Sequence, residues 1–301
     1  MNIYTTNQAS VLIDSKNQLG EGVMWHPEEK VLYWIDISPG ILYRFDPKTG
    51  QTQSWLMEAM IGTVVPASPE GLVVALETGI FHFTIQETLV RLCDFPEAPE
   101  QGNRFNDGKC DPSGRLWVGT MNKQVRANAG KLYVFNGDSI VPKLENLTIS
   151  NGMAWSADQR TLFFIDTVDY AVAAFDFDNQ TGNITNKRTI LEIPPKMGAP
   201  DGMTIDRDGM LWIAHWGGSC VARWNPAQGE LLETIMVPAP HVTSCTFGGE
   251  KLNTLYISTA REGLSEKQLI EFPLSGGIFS YLLEKRGTES YFFKNYTLYQ
   301  T

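Results

Sequence analysis

The chain has 301 residues, 43% of them hydrophobic and 19% charged, with 24 Lys and Arg against 34 Asp and Glu for a formal net charge of −10. That composition describes a globular chain with ample core and excludes a disordered one. A surplus of acid with no Lys/Arg-rich run argues against nucleic acid and against anionic membrane surfaces as partners. No apolar run approaches the roughly 18 residues of a membrane span, and the opening MNIYTTNQASVLIDSKNQ has neither a basic nor an apolar leader region. The four cysteines, Cys93, Cys110, Cys220 and Cys245, form no C-x-x-C pair. They are expected as reduced core residues of a cytoplasmic protein.

In chain order, the first predicted element is ASVLID at 9–14, a strand with no neighbour of its own kind. After it, a turn followed by a short, aromatic-rich strand recurs six times: HPEEKVLYWID, SPEGLVVALE, DPSGRLWVGT, SADQRTLFFID, DRDGMLWIAH and GGEKLNTLYIS. Their leucines, Leu32, Leu72, Leu116, Leu162, Leu211 and Leu255, stand 40, 44, 46, 49 and 44 residues apart. One more short strand precedes each turn, as in GVMWHP and GMTIDR, and another follows, as in ILYRFDPKTG and VARWNPAQG. Stretches such as QTQSWLM and ELLETIMVP supply a fourth.

Four short strands per unit at this period is the mark of a β-propeller blade. The sixth unit lacks an evident fourth strand, and the orphan at 9–14 is expected to complete it, which would remove an open sheet edge. The predicted fold is therefore all-β, a six-bladed β-propeller with four antiparallel strands per blade, closed by the N-terminal strand, as one domain over residues 1–301. An all-β sandwich is the alternative, but it has no need of a regular period. The nearest approach to a helical pattern is REGLSEKQLIEF, in a loop of the sixth unit.

In a propeller the first strand of each blade lines a central channel. Aligning the units on Trp25, Val65, Cys110, Trp155, Ile205 and Phe247 and counting back four gives Glu21, Ile61, Asn106, Asn151, Asp201 and Thr243. Four of these are carboxylates or amides, and Gly or a small residue follows closely in each case. Such glycines are expected to let the backbone approach whatever lies on the axis. Asn-Asp-Gly, Asn-Gly and Pro-Asp-Gly are also ordinary turn sequences. The recurrence of one register, and a Glu in it, favours a ring of polar groups instead. Two carboxylates and an amide meeting on one axis call for a cation, and an all-oxygen set suits Ca²⁺ or Mg²⁺.

LGEGVMW (19–25), RFNDGKCDPSGRLWVGTM (104–121), ISNGMAWSADQRTLFFIDT (149–167), PDGMTIDRDGMLWIAHWGG (200–218) and TSCTFGG with LYISTAREG (243–263) closely resemble the SMP-30/gluconolactonase/regucalcin family, from about residue 9 to residue 281. The resemblance implies a metal-dependent lactonase acting on a sugar lactone, with one divalent ion held by Glu21, Asn151 and Asp201. Calcium is the first choice, with zinc, manganese or magnesium as alternatives. It places substrate-binding residues at Arg104 and Asn106. Where family members carry an acidic pair after GTM, this chain reads GTMNKQ, so Asn122 and Gln124 stand there; Gln124 is the third substrate-binding candidate and a source of altered sugar preference. The tail after Tyr281 has no family counterpart.

The chemistry this implies is a metal that polarises the lactone carbonyl and holds the attacking water, with Asp201 as general base. Arg104 and Asn106 would hold hydroxyls or the developing oxyanion. A blade-to-blade ion pair is the competing account of Arg104. No G-x-S-x-G, H-E-x-x-H, Walker A or G-x-G-x-x-G motif offers a different chemistry. The alternatives are phosphotriester or other ester hydrolysis at the same site, or a non-catalytic calcium-binding propeller. The implied partner is a small-molecule sugar lactone, and the implied state a monomer or weak dimer.

Overall fold

Apolar runs such as VLYWID and TLFFID, too continuous for a half-exposed strand, form strands buried on both faces. The computed structural model of the protein describes residues 7–294. After β1 (Ser10–Ile13), strands follow in antiparallel groups of four. These are β2 (Gly20–His26), β3 (Val31–Asp36), β4 (Ile41–Asp46) and β5 (Gln51–Leu56); then β6 (Ile61–Ser68), β7 (Leu72–Leu76), β8 (Gly79–Phe83) and β9 (Leu89–Asp94). The third and fourth groups are β10 (Asn103–Cys110), β11 (Leu116–Asn122), β12 (Gly130–Phe135) and β13 (Ile140–Leu147), and β14 (Ser150–Trp155), β15 (Thr161–Asp166), β16 (Ala171–Asp178) and β17 (Asn183–Glu192). Next come β18 (Ala199–Ile205), β19 (Leu211–Trp216), β20 (Cys220–Asn225) and β21 (Glu230–Met236). The last group holds β22 (His241–Gly248), β23 (Thr254–Ala260) and β24 (Ile278–Leu282), with β1 paired antiparallel to β24 as its fourth strand. A single pairing of Trp216 with His241 joins the last two groups into one sheet.

The first strands, β2, β6, β10, β14, β18 and β22, pack side by side in chain order, and β22 packs against β2. Burial falls outward across each group: β2 and β3 are almost wholly buried, whereas β5, β9 and β21 are largely exposed. The REGLSEKQLIEF stretch between β23 and β24 does contain a short helix, α1 (Glu266–Glu271), started by a reciprocal cap between Ser265 and Gln268.

The turns between first and second strands explain their sequences. SPEG, DPSG and DRDG end on glycines at φ of 81°, 88° and 81°, the left-handed region that glycine enters without a side-chain penalty. Asp111 and Asp206, both fully buried, staple two of these turns. Asp206 Oδ1 accepts from the backbone N–H groups of Asp208 and Met210, and Oδ2 from Trp212 Nε1 (3.0 Å) and Arg223 Nε (2.7 Å). Asp111 repeats the pattern with Ser113, Arg115 and Trp117.

Residues 283–294 cross the end of the ring where these turns lie. Arg207 N–H donates to Arg286 O (2.9 Å), Gly287 N–H to Leu252 O (2.8 Å) and Lys294 N–H to Gly114 O (2.9 Å). A two-residue strand, β25 (Phe293–Lys294), pairs parallel with the end of β6. Phe293 is buried and stacks on Phe135, ring centroids 5.5 Å apart.

Candidate active site

At the opposite end, the first strand of every group breaks register at the same place. The shifts fall between Glu21 and Met24, Ile61 and Thr63, Phe105 and Gly108, Ser150 and Met153, Pro200 and Met203, and Val242 and Ser244. These are β-bulges, which add a residue to one strand and re-aim its side chain. Each of the six positions reached by the register count lies in or beside one. Asn-Asp-Gly, Asn-Gly and Pro-Asp-Gly are therefore interruptions inside strands, not chain reversals.

The glycines after these positions serve a different purpose from the one expected. A Cβ on Gly62 would meet Phe105 backbone at 2.5 Å, one on Gly152 would meet Asp201 O at 2.5 Å, and one on Gly202 would meet Thr243 O at 2.8 Å. What approaches closely is the next first strand, so these glycines let the ring close tightly around its axis. Gly22 differs, being required by its φ of 55°.

Glu21, Arg104, Asn106, Asn151 and Asp201 are all buried, and they form one electrostatic cluster. Asn151 Nδ2 donates to Thr167 Oγ1 (3.0 Å), whereas Asn151 Oδ1 and Asp201 Oδ1, both buried, find no hydrogen-bond partner among the described residues. Glu21 Oε2 accepts from the Gly22 N–H (3.0 Å). Burial, then the Asp201 and Asp107 carboxylates, push the Glu21 carboxyl well above its ordinary range. Asp201 is likewise raised, by burial and by Asp107, against the opposing pull of the Asn151 side chain.

Arg104 Nη1 donates to Asn106 Oδ1 (2.8 Å) and to Phe105 O (2.9 Å), and Asn106 Nδ2 donates to Ser150 O (2.9 Å). Asn106 thus orients the guanidinium and ties it to the strand that carries Asn151. Arg104 makes no ion pair with any described residue. Gln124 stands apart from this cluster, exposed on the turn after β11, where its N–H donates to Asn122 Oδ1 (3.0 Å). Asn122 is buried and bonds back to Gln101 O and Asn103 Oδ1.

Two residues that the sequence reading passed over hold the cluster in place. Asp36 accepts from the N–H groups of Gln18 and Leu19, both at 2.8 Å. Asp166 accepts from those of Thr148 (2.8 Å) and Ile149 (2.9 Å). Each carboxylate ends a second strand and clamps the chain two or three residues before Glu21 or Asn151. The signal was visible as the final Asp of VLYWID and TLFFID, in two of the units that supply site oxygens.

Below the cluster the channel continues as a cavity lined by Asp107, Lys109, Thr63, Thr204 and Ser244 and reaching the crossing tail at Thr288–Tyr291. Lys109 Nζ donates to Met203 O (2.7 Å) there. His215, the most conspicuous histidine of the sequence, is fully buried in β19, and burial lowers it to about 4. Among the described residues no three His, Cys, Asp or Glu side chains converge as metal ligands; the cluster above has two carboxylates and takes its third oxygen from an amide. No helix among the described residues is long and apolar enough to cross a membrane.

Comparison with known proteins places this geometry in context. A family model described as the SMP-30/Gluconolactonase/LRE-like region matches residues 19–261. The chain is 36% identical over 275 residues to the Bacillus subtilis (strain 168) protein named "Putative sugar lactone lactonase YvrE", covering 91% of this chain and 94% of that one. It is 36% identical over 268 residues to regucalcin of Gallus gallus, covering 87% and 90%. A crystal structure of a regucalcin from Agrobacterium tumefaciens, described as a calcium-binding protein, superposes with a TM-score of 0.91 at 26% identity, covering 96% of this chain and 98% of that one.

Proposed function

The chain belongs to the SMP-30/gluconolactonase/LRE-like family, and on that premise we propose that it is a divalent-metal-dependent lactonase, opening the ring of a sugar (aldono-)lactone to the aldonic acid. In this reading the six four-stranded groups are the blades of one closed propeller within one domain, β1 closing the last blade.

The observation that carries the reading is the pair of buried oxygens without a hydrogen bond among the described residues, Asn151 Oδ1 and Asp201 Oδ1, beside the Glu21 carboxylate. An unpartnered buried acceptor costs about 1–3 kcal/mol, and two carboxylates held together out of water cost more. A hard cation removes both penalties. The donor set fits one: all oxygen, with two formal negative charges, on rigid strands. Glu21, Asn151 and Asp201 would be its ligands.

A bound divalent ion supplies Lewis-acid polarisation of the ester carbonyl and positive charge where the oxyanion develops. The residues do the rest. Asp201 takes a proton from water as the water oxygen bonds to the carbonyl carbon, and returns it to the ring oxygen as the ring C–O bond breaks. Arg104, oriented by Asn106, donates to a substrate oxygen, and its buried position makes that hydrogen bond stronger than one in water. Gln124, exposed on its turn, is the candidate for contact with the outer part of a longer sugar.

A second reading, a non-catalytic calcium-binding propeller, draws on the description of the Agrobacterium tumefaciens structure. Phosphotriester or other ester hydrolysis would use the same groups. Rates on an aldonolactone, a simple carboxylic ester and a phosphotriester, each with added calcium, zinc, manganese or magnesium, separate the three. The lactonase reading expects the aldonolactone to be turned over fastest, and only with metal. Faster phosphotriester turnover, or calcium binding with no hydrolysis of any of them, would replace it.

A further inference from the structure

The cluster described so far supplies many donors but, once a cation occupies its oxygens, few acceptors. A sugar hydroxyl needs both. Arg104 has five N–H donors, of which only those on Nη1 meet protein acceptors. The N–H groups on Nε and Nη2 have no acceptor among the described residues. A guanidinium cannot accept a hydrogen bond, so whatever it holds must find its acceptor elsewhere.

Glu262 is placed to be that acceptor. It sits on the loop after β23, half-buried, and is fixed at three points. Its N–H donates to Gln18 O (2.8 Å), its carbonyl oxygen meets His241 Nδ1 (2.9 Å), and Ser38 Oγ donates to its Oε2 (2.9 Å). Its Oε1 accepts nothing from the described residues. Gln18 stands three residues before Glu21, and Ser38 follows the strand that pairs with Glu21. Ile37 O accepts from Ile61 N–H (3.4 Å), and Gly62 in turn lies against Phe105, the residue between Arg104 and Asn106. The Glu262 loop and Arg104 therefore share one rim. Of the carboxylates whose field supports the buried Arg104 guanidinium, Glu262 leads, ahead of Glu21, Glu77 and Asp201. Glu77 is already engaged by Lys123.

We infer that Glu262 Oε1 accepts a hydrogen bond from a ring hydroxyl of the substrate whose oxygen is held by Arg104. This rests on the lactonase reading and narrows it: the preferred substrate is a polyhydroxylated cyclic ester, chosen over a bare lactone ring by a carboxylate on the last blade. The contact is made equally in ground and transition states, so it acts on KM more than on kcat.

The test compares wild-type, Glu262→Gln, Glu262→Ala and Ser38→Ala protein, loaded with calcium, on an aldonolactone and on δ-valerolactone, which carries no hydroxyl. Binding of 1,5-anhydroglucitol, a cyclic polyol without the ester, is followed in parallel by NMR titration, and melting curves confirm folding. Glu262→Gln is expected to raise KM for the aldonolactone about ten-fold and leave kcat within about two-fold, the scale of one charge-assisted hydrogen bond weakened to a neutral one. Glu262→Ala should do more, and Ser38→Ala, which frees the carboxylate to swing, less. The δ-valerolactone kinetics should not move. Unchanged aldonolactone KM in both Glu262 variants, or an equal rise for δ-valerolactone, would overturn the contact and leave the lactonase reading standing. Polyol binding that depends on Glu262 without turnover of either lactone would support the contact and overturn the lactonase reading. Neither binding nor turnover in the folded wild-type protein would overturn both.

Discussion

Glu21 and Asp201 are buried carboxyls pushed above their ordinary range by burial and by neighbouring carboxylates. The sign of the consequence follows from proton counting. Between the ordinary carboxylate range and the raised values, the folded protein holds more protons than the unfolded chain, so stability falls as pH rises through that window and levels off above it. A cation on the same oxygens displaces those protons, so its stabilising effect grows over the same window. Melting temperatures of chelator-treated protein are expected to fall with rising pH there, and the gain on adding calcium to widen. A metal-free protein whose stability rises across the window would show that these carboxyls are not buried against one another.

Much at this scale was legible. A register count put Glu21, Asn106, Asn151 and Asp201 at one level, where the structure has its bulges, because six units share one geometry and a shared geometry prints one spacing. What spacing alone does not carry is the bulge, since Asn-Asp-Gly has the same letters in a turn and in an interrupted strand. The roles of Gly62, Gly152 and Gly202 were misjudged for a related reason: the atoms a missing Cβ admits belong to a strand some 40 or more residues away in the chain. Glu262 was invisible because its importance comes from Ser38 and Arg104, on other units.

Among the elements, the loops entering β2 and β14 matter most, since each delivers one proposed ligand oxygen and each is clamped by a carboxylate closing the neighbouring strand. Asp166→Asn keeps the size of the side chain but turns one acceptor into a donor facing the Thr148 or Ile149 N–H. The expected result is a loss of calcium affinity of about 10–100-fold, the usual cost of disturbing a ligand's support, read by calorimetric titration. Asp36→Asn should act alike through Glu21. The folded protein should persist, because each change weakens one side chain's hydrogen bonds, a cost of about 1–3 kcal/mol, and leaves the packed strands intact. Full calcium affinity in both variants would mean that the bulges alone hold the ligands. The four-strand units and the closing strand at 9–14 were readable because burial on two faces imposes apolar runs and turns at fixed intervals. The two-residue strand β25 was not, because Phe293–Lys294 has no period at all.

For the whole molecule, the crossing tail gives the two ends of the channel different characters. One end carries the candidate site; the other is spanned by residues bound to turns of several four-stranded groups, with Thr288–Tyr291 against the cavity. Phe293 anchors that strap in a pocket against Phe135. Phe293→Ala is expected to cost about 3–5 kcal/mol in denaturant unfolding, the usual penalty for emptying a buried aromatic site. A loss below about 1 kcal/mol would show that the strap is loosely held.

The central claim is that a divalent cation at Glu21, Asn151 and Asp201 makes this chain a lactonase. Its most direct test is aldonolactone hydrolysis by chelator-stripped protein, before and after return of one equivalent of cation, with Asp201→Ala alongside. The account predicts no turnover by the stripped protein, recovery on adding the cation, and no recovery in Asp201→Ala at any substrate concentration. Undiminished hydrolysis by the stripped protein, or full recovery without Asp201, would contradict it.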